Sequence, residues 1–356
     1  MNYYIGEAQS KSPYLQNTAG TKARVDINYI FEREIGNPIF LELPSGVSAP
    51  KSFIQKIKKQ FAVLKIWKRA TQNLQAGDRL FIQFPFLVYS MFLAKLFKKL
   101  KKRGVELVFL VHDFTWLREA SKTLMRKSHM RKERAQFFCA DKFIVHNKKM
   151  AAYLLAGGIH QNRLIELQIF DYLIPDFDED KIANRGNDKS RPVMIAGNLA
   201  PHKAQYAYRL PDSWQWHLYG PHYTGEEKEF IHHRGSFPPE ELPYALDGSF
   251  GLVWDGDSTE TCTGITGEYL KLNNPHKTSL YLASGVPVVI WKEAALADFI
   301  LKNGCGIAVS SLSEIASAVN ALSGEQYAQM RRNASEIGKK LREGYFTKAA
   351  IQKVVQ

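Results

Sequence analysis

Residues 269–288 read Tyr-Leu-Lys-Leu-Asn-Asn-Pro-His-Lys-Thr-Ser-Leu-Tyr-Leu-Ala-Ser-Gly-Val-Pro-Val. Asn274-Pro275, then a short polar start and an amphipathic run, marks a helix N-terminus, and the spacing predicts a helix over 276–284. A β-rich run at 286–290 follows at once, so helix feeds strand. Backbone amides at such a helix start, with Lys277 beside them, form an anion site suited to a diphosphate. Asn273, Asn274, His276, Lys277 and Thr278 gather there, with Tyr269 just upstream. The plainer reading, a capped surface helix, needs fewer polar groups than that.

The same alternation runs outward along the chain. Strand-like runs fall at 2–5, 39–43, 79–84, 105–111, 142–145 and 163–167, then at 192–196, 214–219, 231–234, 250–254, 286–290 and 306–309. Amphipathic runs lie between many of them, among them 52–74 and 88–103, and the chain closes on 326–355 with a break near Gly344. The stretch 171–191 is acidic and rich in Pro, Gly and Asn without either period, which marks a linker. The expected fold is α/β: two doubly wound, Rossmann-like domains over 1–170 and 192–335 facing across a cleft. A C-terminal helix at 336–356 is then free to return to the first domain. In open α/β sheets ligands sit outside the carboxyl ends of the strands, so the loops after each strand carry the function.

Composition narrows the class. With 356 residues, 45% of them apolar, and no low-complexity tract, the chain has material for two cores. Cys139, Cys262 and Cys305 are odd in number and far apart, which encodes neither a disulfide framework nor a zinc knuckle. The longest apolar stretch, 84–94, is too short for a membrane span, and the polar residues from Glu7 onward leave no signal-peptide core, so a cytoplasmic protein is expected. Up to Asp171 there are 29 Lys and Arg against 13 Asp and Glu, and beyond it 19 against 22. The basic character belongs to the first half, which should face something anionic: nucleic acid, a membrane surface or a phosphorylated ligand.

Four strand-end loops carry candidate chemistry. After the first strand, Thr18 or Thr21 can cap the next helix and Gly20 permits close backbone approach. Lys22 and Arg24 bring positive charge against the dipole of its first turn, which is useful if they face an anion. After the fourth, His112-Asp113 lies where a general base would sit, although neighbours in a strand point opposite ways. After the first two strands of the second half come Gly197-Asn198 with Lys203 nearby, and Tyr219-Gly220, again suited to a close approach by a phosphate ligand. Neither G-x-G-x-x-G nor GxxxxGK[ST] occurs, which weakens the case for dinucleotide oxidoreductases and P-loop enzymes.

The segment from Lys277 to Pro287 resembles the K-x-x-E-Y-x-A-x-G-x-P signature of GT-B nucleotide-sugar glycosyltransferases. Together with Gly251-Leu-Val-Trp-Asp-Gly256 and the Asn-Asn-Pro-His-Lys core, it is similar to the accessory glucosyltransferase family of Gram-positive bacteria. Members of that family add glucose to O-linked N-acetylglucosamine on serine-rich-repeat adhesins, and relatives are labelled galactofuranosyltransferases. The resemblance implies a UDP-sugar donor held by Gly197, Asn198, Lys203, Tyr219, Gly220, Tyr269, Asn273, Asn274, His276, Lys277 and Thr278. It further implies an N-acetylglucosamine-modified protein or glycan as acceptor on the side of Thr18, Gly20, Thr21, Lys22 and Arg24, and His112 or Asp113 as base. Leu280 stands where the broad pattern has Glu, so the nucleoside must be read by other groups.

Asp255-Gly256-Asp257 and Asp176-Phe177-Asp178 match the short DxD pattern of metal-dependent transferases. Lys203 and Lys277 supply positive charge without an ion, so no metal and no cofactor are expected. The aromatic segment 81–97 would suit a self-association face of a homo-oligomer if exposed, and peripheral membrane contact is a further expectation; nothing in the sequence fixes the oligomeric state. A nucleic-acid-binding protein is the competing class, but no helix-turn-helix, RNA-recognition or zinc pattern appears. A nucleotide-sugar epimerase is the competing enzyme.

Overall fold

The computed structural model describes residues 1–7, 19–41, 52–118, 124–183 and 187–356. The first sheet contains β1 (Asn2–Gly6), β2 (Pro38–Phe40), β3 (Arg79–Phe84), β4 (Glu106–Val111), β5 (Lys142–Val145) and β6 (Leu164–Glu166) in the order β2-β1-β3-β4-β5-β6. The second contains β7 (Val193–Ala196), β8 (Trp216–Tyr219), β9 (Ile231–His233), β10 (Phe250–Val253), β11 (Val288–Trp291) and β12 (Gly306–Val309) in the order β12-β11-β10-β7-β8-β9. Every strand pairing is parallel. Strand order reverses between β1 and β3 and again between β7 and β10, and each reversal opens a crevice at the carboxyl edge.

Parallel strands covered on both faces read as near-continuous apolar runs, as in β4 after its first residue (Glu-Leu-Val-Phe-Leu-Val) and β11 (Val-Val-Ile-Trp). One face of the first sheet shares a continuous core with the second domain. The other face holds its own core, dense in Phe84, Phe86, Phe97, Phe109, Phe137 and Phe143. The segment 81–97 was expected to offer a self-association face. Instead Phe84, Phe86 and Phe97 are buried there and Phe81 in the core shared with the second domain, because β3 and the following helix turn them inward.

Six helices matter for the site: α1 (Ala19–Glu34), α2 (Phe53–Ala70), α3 (Leu93–Lys102), α4 (His276–Ala283), α5 (Gly324–Arg342) and α6 (Tyr345–Val355). Helix α3 starts five residues later than its period suggests, because Ser90 and Met91 are tied in a turn to Gln60 of α2. Helix α5 stays with the second domain, where Arg342 Nη1 donates to the carbonyl of Ala283. Gly344, at φ 75°, turns the chain, and α6 crosses to the first domain. There Lys142 Nζ donates to Val354 O at 2.8 Å, and Lys348 pairs with Glu34. The crossing thus falls at Gly344, and residues 336–342 belong with the second domain.

The start of the linker is not a solvated spacer. Asp171, Tyr172, Leu173 and Ile174 are buried. Both Asp171 carboxylate oxygens accept N–H groups from the first turn of α6, at Phe346 and Thr347. Tyr172 Oη donates to the carbonyl of Pro239. The four residues form a buried junction between α1, α6 and the second domain.

Candidate active site

At the β7/β10 reversal two adjoining cavities, of 490 and 180 Å³, form one cleft. They share Arg118, Ala196, Gly197, Asn198, Lys203 and Lys277. Two glycine turns build the floor. Gly197 (φ 147°) donates its N–H to Tyr219 O, and a Cβ on it would meet no atom within 4 Å, so it faces open cleft. Gly220 (φ 138°) packs on it so closely that a Cβ would lie 1.8 Å from Gly197 O. Asn198 Oδ1 closes the next turn on the N–H of Ala200, and Tyr219 Oη accepts the N–H of Asp247.

Lys277, in the first turn of α4, donates to Trp254 O and pairs with Asp255, both at 2.8 Å. Burial alone would lower its pKa, but the Asp255 carboxylate outweighs burial and holds it raised. Lys203 is exposed and has no ion-pair partner among the described residues. Arg118, from the first domain, lies 6.0 Å from the centre of the Tyr269 ring and pairs with Asp113 at 2.5 Å. Three cations from both domains therefore converge on one cleft.

The remaining candidates divide. Asn273 lines the smaller cavity and its buried Oδ1 has no partner among the described residues. Tyr269 lines it too, and its hydroxyl accepts the N–H of Phe114 across the domain boundary at 3.0 Å. His276 lines the larger cavity, stacked on Tyr172, with Nε2 at 3.1 Å from Asp171 O and a buried, unpartnered Nδ1. Burial lowers its pKa to about 4 and keeps it neutral.

Two expected donor ligands lie elsewhere. Thr278 is wholly buried behind the cleft wall. Asn274 joins the domains: its N–H reaches His146 Nδ1, its Nδ2 donates to His146 O and Gln168 O, and its Oδ1 accepts from Asn147. Both are corrections, and both arise because α4 turns one side of its start toward the other domain.

The front-domain candidates are also reassigned. Thr18 lies outside the described residues. Gly20 sits at the start of α1, with Thr21 behind it. Lys22 is not free to meet a ligand: it forms a buried pair with Asp26 one helical turn on and donates to Leu173 O. Arg24 pairs with Glu7 and donates to the carbonyl of Pro85. Cations beside a helix start are better neutralised inside than left against the dipole.

His112 and Asp113 line neither cavity; Asp113 borders the cleft through its partner Arg118, whereas His112 is held by Gln83 of the first domain. Gln83 Nε2 donates to Arg24 O, which leaves Oε1 to accept from His112 Nε2 at 2.6 Å. His112 is thus the Nε2–H tautomer, with its basic lone pair on Nδ1. Burial first, then the nearby charge of Arg24, pushes its pKa well below the usual range. Asp113 is raised by burial against the pull of Arg118, and serves that arginine. Arg118 was missed in the sequence; its position in the short helical turn 115–118 just after β4 was the available signal.

Among the described residues no three His, Cys, Asp or Glu side chains gather as metal ligands, and no helix is long and apolar enough to cross a membrane.

Two parallel-sheet domains joined by a linker that starts buried, with a cationic cleft at the switch point of the second, define a GT-B glycosyltransferase. The chain matches the models of the Glucosyltransferase 3-like N-terminal domain over residues 3–169 and C-terminal domain over 193–354, and it belongs to that family. It is 36% identical over 287 residues to the beta-1,6-galactofuranosyltransferase WbbI of Escherichia coli (strain K12), covering 80% of this chain and 81% of that one. It is 26% identical over 280 residues to Glucosyltransferase 3 of Streptococcus gordonii, covering 77% and 78%. Among solved structures, sucrose-phosphate synthase from Thermosynechococcus elongatus shares the fold at a TM-score of 0.60 and 12% identity, over 99% of this chain and 98% of that one.

Proposed function

We propose that this enzyme moves a hexose from a UDP-sugar to a hydroxyl of a sugar acceptor on a glycoprotein or glycan, in the cytoplasm and without a metal ion. The observation that carries the reading is the convergence of Arg118, Lys203 and Lys277 on one cavity. Sugar transfer builds negative charge on the departing diphosphate, and fixed cations beside a helix N-terminus stabilise it without reorganisation. In this reading Lys203, Arg118 and Lys277 hold the phosphates, and Asn273 and His276 meet the donor with their unpartnered atoms. His112 Nδ1 takes the acceptor proton.

Glucose is the hexose that the family description favours. Galactofuranose is the second reading, supported by the 36% identity to the galactofuranosyltransferase. The test is incubation with UDP-glucose or UDP-galactofuranose and a sugar acceptor in EDTA. Glycosylated acceptor and free UDP are expected. Interconversion of the donor without acceptor would indicate an epimerase, and loss of transfer in EDTA would return Asp255 to a metal role.

A further inference from the structure

Helix α3 packs between α2 and the helix Leu124–Phe137, and the three cover the face of the first sheet whose core is not shared with the second domain. Their inner sides supply Trp67, Leu96, Phe97 and Phe137 to that core. Their sequences are basic: α2 has six Lys or Arg, α3 five and the third helix five, against one acidic residue, Glu133. Glu133 is buried and accepts a hydrogen bond from Thr115 Oγ1, so it does not offset them at the surface. On α2 alone Lys56, Lys58, Lys59, Lys65, Lys68 and Arg69 are all exposed. A layer of like charges repels itself, and an anionic surface relieves that repulsion.

Charge alone does not name the partner, but a stripe of apolar side chains on α2 does. A helix on the surface of a domain needs one apolar stripe, facing the core, and α2 has two. Val63 and Trp67 face the core, while Phe53, Ile54, Ile57 and Phe61 gather on another side, at i, i+1, i+4 and i+8. Phe53, Ile54 and Phe61 are 74%, 66% and 55% exposed. Phe61 stacks on Phe92 at 4.6 Å, which occupies one of its faces. Ile54 and Ile57 offer nothing to a phosphate or a base edge, but both gain by entering the apolar boundary beneath lipid headgroups.

We infer that this layer docks the chain on an anionic bilayer, with the α2 stripe seated at the headgroup boundary and the lysines of α2 and α3 on the headgroups. Those two helices carry ten lysines to one arginine. Lysine is a flexible point charge rather than a fork for bidentate pairing, which suits diffuse attraction to headgroups better than the reading of a nucleic acid or of a carboxylate patch. A second copy of this chain would present the same charge and be repelled. The layer shares no residue with the donor cavities, so docking and UDP binding are measured apart.

The experiment is co-sedimentation of the full chain with vesicles of phosphatidylcholine alone and of phosphatidylcholine mixed with phosphatidylglycerol in equal parts. Capture by the mixed vesicles alone is expected, weakening steeply as salt is raised. A Lys58→Gln, Lys65→Gln, Lys68→Gln variant should bind them about a hundred-fold more weakly, at about five-fold for each lysine. Phe53→Ser with Ile54→Ser keeps every charge and should still lose at least about ten-fold. Both variants should retain the parent's circular dichroism and UDP affinity, which separates lost docking from lost folding. No capture by the mixed vesicles, equal capture by the neutral ones, or undiminished capture of either variant would overturn the inference. Single-stranded RNA that displaces the parent from the mixed vesicles, and binds the Phe53→Ser, Ile54→Ser variant as tightly as the parent, would assign the face to nucleic acid instead and also overturn it.

Discussion

At the scale of single residues, Lys203, Lys277 and Gly197 make different predictions. Lys203 is exposed and without an ion-pair partner among the described residues, so Lys203→Ala should leave the unfolding free energy within about half a kcal/mol of the parent. UDP affinity, measured by calorimetry, should fall about ten- to a hundred-fold, the value of a charged phosphate contact. Lys277 is neutralised by Asp255. Asp255→Asn retains an amide oxygen for the lysine and removes the competing charge, so UDP should bind at least as tightly, with EDTA present. Binding that disappears in this variant would mean that Asp255 holds a metal. Gly197→Ala places a methyl in open cleft at φ 147°, where L-residues are strained. The fold should persist by circular dichroism while UDP affinity drops at least about ten-fold.

At the scale of elements, the start of α4 does two jobs, and the sequence revealed one of them. Lys277 was legible because a lysine in the first turn after Asn-Pro has a local meaning. The roles of Asn274 and Thr278 were not, because their surroundings come from the other domain or from behind the helix. Lys22 is a different case: Asp26 stands one turn away in the sequence, and an i,i+4 pair was the readable signal. All twelve strands were legible, since buried parallel strands are short, β-branched and apolar.

Asn274→Ala removes three side-chain hydrogen bonds between domains, two of them buried, and should cost about 2 to 4 kcal/mol, seen as a lower thermal midpoint. Its partner His146 accepts the Asn274 N–H at Nδ1 and must remain neutral; burial lowers its pKa to about 4 from the ordinary 6.5. Between those values the unfolded chain carries the extra proton, so this contribution falls as pH falls from about 6.5 to 4. A His146→Gln variant should be less stable at pH 7 but lose less on acidification to pH 5. Equal slopes in a pH series of melting curves would contradict that role.

At the scale of the whole molecule, a chain crossing twice between two sheets explains how one cleft draws on both domains. The linker residues 171–174 and helix α6 are buried against the first domain, and Arg118 reaches the donor cavity from there. The excess positive charge of the first half goes to internal pairs such as Arg24 with Glu7, to exposed helix faces such as those of α2, α3 and the helix over 124–137, and to Arg118 in the cleft. Charge counting identified the half but not the division, because pairing partners lie far apart in sequence. The most direct measurement is calorimetric titration of UDP into the parent protein and into Arg118→Ala. The account predicts one saturable site per chain, weakened about ten-fold or more when the first-domain arginine is removed. Equal affinity in the two proteins, or no binding to the parent, would contradict a diphosphate cleft shared between the domains.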